Sequence, residues 1–439
     1  MTKSIPTLLA GFLSSLFLLA ACGEDRRVEY EDRTHTNSWI YQTMSRNYLY
    51  ADQLKSESST NAYATPENYI EGLILSAESR GGKSVSALFY GTEKEALSYG
   101  LQYAYQRYDS IQCLRVLYVA PSSPAAEAGL KRGDWIVGLD GYEISSRNQQ
   151  VLTETDEPIG HTLSLARYMD TLYAGEPILE ADRTVTLPAP RKIDSSPVEK
   201  DTLIETGGKK IGYLLYTGHT AFTGINSDGQ ESDADELKAA LKRMADGGAT
   251  ELVIDLRASN GISLEMARQM ATLIAPQEAY GQLFYYLLRN EQREQDIHPI
   301  TPPGSGTGEA LCLKQVAFLT STHTAGTGEL LAHCLAPYMK TVVVGEKTTG
   351  LDLLTETYYN KEYGYGIRLA TTQIANARLE TYSSGLTPDY PITEGDSLLP
   401  RMLPLGNPDE LLLKKAIRTL LYPFDDKDGV TLPESENEP

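Results

Sequence analysis

TELVIDLR, residues 250 to 257, is the stretch whose reading decides the fold. Leu252, Val253 and Ile254 follow one another without a polar break, as in a strand covered on both faces. Upstream, KKIGYLLY (209–216) reads as a second strand, and DADELKAALKRMADGG (233–248) as an amphipathic helix that stops at paired glycines. Downstream, LEMARQMATLI (264–274) is a helix, and VAFLTS (316–321) and TVVVGE (341–346) are strands. This alternation predicts a layered α/β core with a mostly parallel sheet over 203–422, its ligand site at the strand C-termini.

At 439 residues the chain is too long for one core, so an α/β multidomain protein of two or three folded units is expected. Asp and Glu number 59 against 39 Lys and Arg, a formal charge of -20, which excludes a nucleic-acid partner and favours solubility. The N-terminus, MTKSIPTLLAGFLSSLFLLAAC, has one cation, Lys3, before an apolar segment too short and too early for a standard spanning helix. It reads as a secretory leader over 1–22. Leu19, Ala20, Ala21 and Cys22 resemble a bacterial lipobox, which implies acylation of Cys22, a membrane anchor and a cell-envelope location. The charged segment 23–37 suits a flexible tether, and 423–439 a disordered acidic tail.

Residues 38–85 read as a small helical cap, with Trp39, Ile40, Met44, Tyr48 and Leu49 at near-helical spacing. Beyond Cys22, Cys113, Cys312 and Cys334 have no disulfide or zinc pattern, and the six histidines form no HExxH pair. No metal or cofactor is implied.

Between cap and core, RVLYVAPSSPAAEAGLKRGDWIVGLDGYEI (115–144) combines a β-rich run, a short helix opened by Ser123 and Pro124, a strand from Trp135 to Leu139 and a turn at Asp140 and Gly141. This segment resembles a PDZ domain, here bounded at 86–192. The resemblance implies a loop of backbone amides that captures a peptide's terminal carboxylate while the peptide adds as an extra strand. The matching loop is Gly100, Leu101, Gln102 and Tyr103. Residues 145–175 read as a long connection and RTVTLPAP (183–190) as a closing strand.

Four further landmarks occur in order: DLRASNGI (255–262), TAGTGE (324–329), GEKTTGL (345–351) and GLTPD (385–389). Together with the PDZ segment and the lipobox they resemble the C-terminal processing, or tail-specific, serine peptidases in their bacterial lipoprotein form. Members of that family carry DLRxNxGG, TASASE, GExTxGK and GxxPD. Laid on those motifs, the nucleophilic serine falls on Gly326 and the general-base lysine on Leu351, while Ser259 and Ile262 replace Asn and the second Gly. In a serine–lysine dyad the hydroxyl attacks as a neutral lysine takes its proton, and neither glycine nor leucine can do this. No catalytic residue is assigned. Backbone amides at Gly261, Ile262 and Thr327 could still serve as oxyanion donors.

Three functions follow. One is a catalytically silent peptidase-like lipoprotein that binds protein or peptide C-termini. Another is an active peptidase with a rearranged nucleophile such as Thr327, paired with Lys347 or His323, with Ser321, Thr322 and Thr324 as further hydroxyls. A tight turn opposes it, because moving a nucleophile by one residue points its side chain elsewhere. The third is a non-enzymatic envelope assembly subunit.

Overall fold

In a computed structural model, the described residues are 27–94, 96–108, 111–153, 158–173, 176–193, 196–218, 231–290, 296–303, 310–395 and 402–422. The leader, Cys22 and the acidic tail lie outside them. Helix α1 (Arg27–Asn47) opens the described chain, followed by the short helix α2 (Pro66–Glu71) and strand β1 (Ala87–Tyr90). Residues 27–37, a tether by composition, instead form the first turns of α1. Glu and Arg are good helix formers, and Asn37 ties the helix down by donating through Nδ2 to the carbonyls of Ala62 and Ala64, both at 2.9 Å. Among the described residues no helix is long and apolar enough to cross a membrane.

The β-rich unit contains β2 (Leu101–Arg107), β3 (Gln112–Val119), helix α3 (Pro124–Glu127), β4 (Trp135–Leu139), β5 (Tyr142–Glu143), β6 (His161–Tyr173) and β7 (Glu176–Leu187). Its sheet runs β2-β3-β4-β6-β7, with β5 beside β4. One boundary and one connection expected from the sequence need correction. Strand β1 lies outside it, since Ala87 to Tyr90 pair with a strand of the later core; the unit closes instead where Ser98 and Arg191 exchange backbone hydrogen bonds. The expected connection over 145–175 holds β6, whose Leu163 and Leu165 point inward at strand spacing and are fully covered.

The core contributes β8 (Val198–Thr206), β9 (Lys209–Tyr216), α4 (Glu231–Asp246), β10 (Glu251–Asp255), α5 (Leu264–Ile274), β11 (Leu283–Arg289), β12 (Asp296–Pro299), β13 (Gln315–Thr320), α6 (Thr327–Leu335), β14 (Lys340–Gly345), β15 (Leu353–Asn360), β16 (Tyr365–Asn376), β17 (Tyr390–Pro391) and α7 (Leu411–Leu421). One six-stranded sheet has the order β17-β14-β13-β10-β9-β8, parallel throughout except for β8 on β9. Both faces are covered. Leu252, Ile254, Val316 and Phe318 pack with Leu237 of α4, Met270 of α5 and Leu331 of α6, whereas Val253, Ala317 and Leu319 pack with Leu412, Ala416 and Leu420 of α7. A second sheet, absent from the sequence reading, joins β1, β11, β12 and β15 to the long strand β16. It carries the helical cap, with Ile40, Met44 and Tyr48 against Ile367 and Leu369.

Candidate functional site

Parallel pairing of β10 with β13 sets their C-terminal loops side by side, which brings DLRASNGI against TAGTGE. Three bonds pin the turn between β13 and α6. The Thr324 hydroxyl donates to the Leu256 carbonyl at 2.8 Å, the Ser321 hydroxyl to the Arg257 carbonyl at 2.8 Å, and the Ala325 amide to the Ser259 carbonyl at 2.9 Å. Gly326 caps α6 at φ 73° and ψ -115°, a backbone of the kind found in a strand-to-helix turn that presents a side chain to a cleft and one that glycine adopts freely. The room for that side chain is gone. A Cβ on Gly326 would stand 2.1 Å from the Gly261 carbonyl oxygen and 2.8 Å from Cγ1 of Ile262.

The same region engages two of the three candidate oxyanion donors. Gly261, Ile262 and Thr327 do lie together, but the Thr327 amide donates to the Gly261 carbonyl at 2.9 Å and the Gly261 amide to Oδ1 of Asn260 at 2.7 Å. Neither amide is open to a substrate oxygen in this arrangement.

At Leu351 the surroundings are apolar. Its side chain is buried in the cluster that holds Ile40, Met44, Tyr48, Ile70 and Ala325, so the cap's core extends to Leu351 and to the residue before Gly326. A hairpin of the cap lies over the loop before Leu351. There Gly81 and Gly82 turn at φ 56° and 81°, a Cβ on Gly81 would meet Thr349 at 3.0 Å, and buried Arg80 donates through Nε to Asp352 Oδ1 at 2.6 Å.

Glu329, the last residue of TAGTGE, joins these loops. Its fully buried carboxylate accepts from the amides of Gly326 at 2.9 Å, Gly350 at 2.6 Å and Leu351 at 2.8 Å, and from the Thr348 hydroxyl. Burial pushes its carboxyl up to about 7, against the pull of those four donors. Its place three residues into a turn-capped helix is the local signal, since the Gly326 amide is one half of a capping box.

No hydroxyl of the turn bonds to the side chain of His323 or Lys347 among the described contacts. The Thr327 hydroxyl donates to the Gly261 carbonyl at 3.2 Å and accepts from the Ser263 amide at 2.7 Å. Lys347 and Thr322 are exposed. His323, half-buried, bonds instead to the backbone of Tyr103; burial pushes its imidazole below the usual range. Among the described residues no group of His, Cys, Asp and Glu could hold a metal ion.

That His323 contact sets the turn beside the candidate carboxylate loop. Gly100, at φ 71°, is held against the N-cap of α3, since a Cβ there would meet Ser123 at 2.2 Å; Leu101, Gln102 and Tyr103 begin β2. Among the described residues β2 pairs only with β3, and the His323 bond to the Tyr103 backbone sets β2 beside the core. The two units are locked by buried charge that no local motif announces. Arg257 reaches Asp255 at 2.7 Å, Glu410 at 2.9 Å and Glu394, and Arg132 from the β-rich unit reaches Glu410 at 3.3 Å and Glu394. Burial works against the Asp255 charge, but Arg257 outweighs it and holds the carboxyl low. The gap left between the units, bounded by Gln102, Tyr118, Ser321 and Leu405, is about 10 Å³.

Comparisons with known proteins agree with this layout. Residues 35–87 match the peptidase S41 N-terminal domain, 115–165 a PDZ domain and 210–392 peptidase family S41. A carboxyl-terminal-processing protease of Picosynechococcus is 27% identical over 251 residues, covering 56% of this chain and 53% of its own. One from Synechocystis is 24% identical over 278 residues, covering 63% and 58%. The chain thus spans about half the length of the curated relatives it matches. A crystal structure from Bacteroides fragilis, assigned to the S41 proteases, superposes with a TM-score of 0.71 at 29% identity over 87% of this chain and 96% of that one. The chain thus carries an S41 N-terminal domain, a PDZ domain and an S41 peptidase domain in that order, and is similar over this region to carboxyl-terminal-processing proteases.

Proposed function

We propose that this protein is a peptidase-like receptor that holds protein or peptide C-termini at the edge of its PDZ domain and does not cut them. The observation that carries the reading is the filled dyad. Where a serine side chain would stand are the Gly261 carbonyl and Ile262, and where a lysine amine would stand is the apolar core of the cap. Hydroxyl attack with proton transfer to a neutral amine needs both groups in reach of one carbonyl. The rearranged peptidase is disfavoured because Thr327, its best nucleophile, is bonded on both sides and buried. A purely structural assembly subunit has no specific observation in its favour.

The ligand chemistry rests on the PDZ match, the fold in which an extended peptide adds as a strand. The leader and Cys22 support a lipid anchor in the cell envelope, facing the periplasm or the cell surface. Fluorescence anisotropy with one peptide in two forms tests the reading. The free-carboxylate form is expected to bind at least tenfold more tightly than the C-terminal amide. Equal affinities would remove terminal recognition from the account.

A further inference from the structure

We propose that the N-terminal domain carries a second peptide groove, separate from the PDZ edge, which takes an internal, extended segment bearing basic side chains. The groove lies between the open edge of β1 and helix α2. Among the described residues β1 pairs only with β16. The Gly91 amide donates to the Gly364 carbonyl at 2.7 Å, in register with the pairs Ala87 to Arg368 and Phe89 to Gly366. Odd-numbered residues therefore bond to β16, and the amide and carbonyl of Leu88 turn to the open side. One step upstream the edge is already capped, because Glu78 accepts from the amide and hydroxyl of Ser86 at 2.7 and 2.6 Å. At Leu88 it is not.

Across a groove of about 540 Å³, Ile70 and Ile74 form an apolar wall opposite this edge. A strand edge facing a helix across a trough with an apolar wall is the geometry in which peptides dock by strand addition. The charge selects the occupant. Glu67 and Glu71 stand one helical turn apart on α2, both exposed and lining the groove, a like-charged spacing that weakens the helix unless a cation arrives. Neither has an ion-pair partner among the described residues. Glu67 also borders an adjoining groove of about 570 Å³ with Asp32, Glu362 and Tyr365, and Tyr90, at the far end of β1, is 74% exposed and edge-on to Tyr365 at 5.3 Å. Across the two grooves four carboxylates face a single guanidinium, Arg33. A lysine or arginine of the bound strand would lay its stem on the tyrosines and its head among the carboxylates.

The probe is a labelled decapeptide of alternating lysine and valine, acetylated and amidated so that it offers the PDZ loop no carboxylate. A glutamate–valine peptide of the same length is the control. The full chain is expected to bind the first and not the second, with deuterium uptake slowed over residues 86–91. Glu67→Lys with Glu71→Lys should weaken binding at least tenfold without lowering the melting temperature. Should that pair melt early, Glu67→Gln with Glu71→Gln should still give most of the loss. Equal binding of the two peptides, unchanged affinity in the variants, or unaltered exchange over 86–91 would each overturn the groove. Because the probes lack a free C-terminus, failure here and failure of C-terminal recognition at β2 are separate results.

Discussion

At position 326 the side chain has gone but the backbone that a nucleophile needs has stayed. Gly326 keeps a positive φ, and glycine adopts it without the strain that serine would bear. With no Cβ in the way, the Gly261 carbonyl lies against the turn. This makes restoration of the chemistry more than a matter of two residues. The pair Gly326→Ser and Leu351→Lys is expected to show no peptidase activity and to melt earlier, since serine meets backbone and the new amine enters an apolar cluster. Adding Ile262→Gly removes the Cγ1 contact but not the carbonyl, so activity should return only in variants where the 260–262 segment also moves. Both dyad positions are legible from motif spacing alone. Their closure is not, because it depends on a carbonyl some 65 residues away whose position only the β10 and β13 pairing fixes.

Among the elements, the parallel sheet was the most legible, since strands buried on both faces leave unbroken apolar runs such as LVI at 252–254. The helical extension of α1 was hidden because its stabilising contacts, Asn37 to Ala62 and Ala64, join segments that composition marks as polar. β1 was misplaced because a four-residue strand says nothing about which sheet it joins. Glu329 couples elements most directly, linking the start of α6 to the loop before β15. The folded chain holds its proton more tightly, with a carboxyl moved from 4.5 to about 7. Its stabilising contribution is therefore complete below pH 4.5 and lost as pH rises to about 7. Denaturant unfolding should show up to about 3 kcal/mol lost over that window through this one group. Glu329→Gln, which cannot titrate, should flatten that part of the pH profile. An unchanged slope in Glu329→Gln would show that the carboxyl titrates alike in folded and unfolded chains.

For the whole molecule, three matched domains and a structure of similar architecture make the resemblance a property of the architecture, whereas activity is a property of a few side chains. The PDZ domain, the core turn and the cap meet at one place: His323 touches Tyr103, Arg132 shares Glu394 and Glu410 with Arg257, and the cap's core reaches Leu351. On the proposal made above, a peptide held at β2 lies beside the turn at Gly326, a position that carries no side chain. The most direct measurement is the intact mass of a free-carboxylate peptide after long incubation with the wild-type chain at saturating occupancy. Peptide bound and recovered whole is the predicted result. A specific cleavage product that disappears in Thr327→Ala would contradict the account.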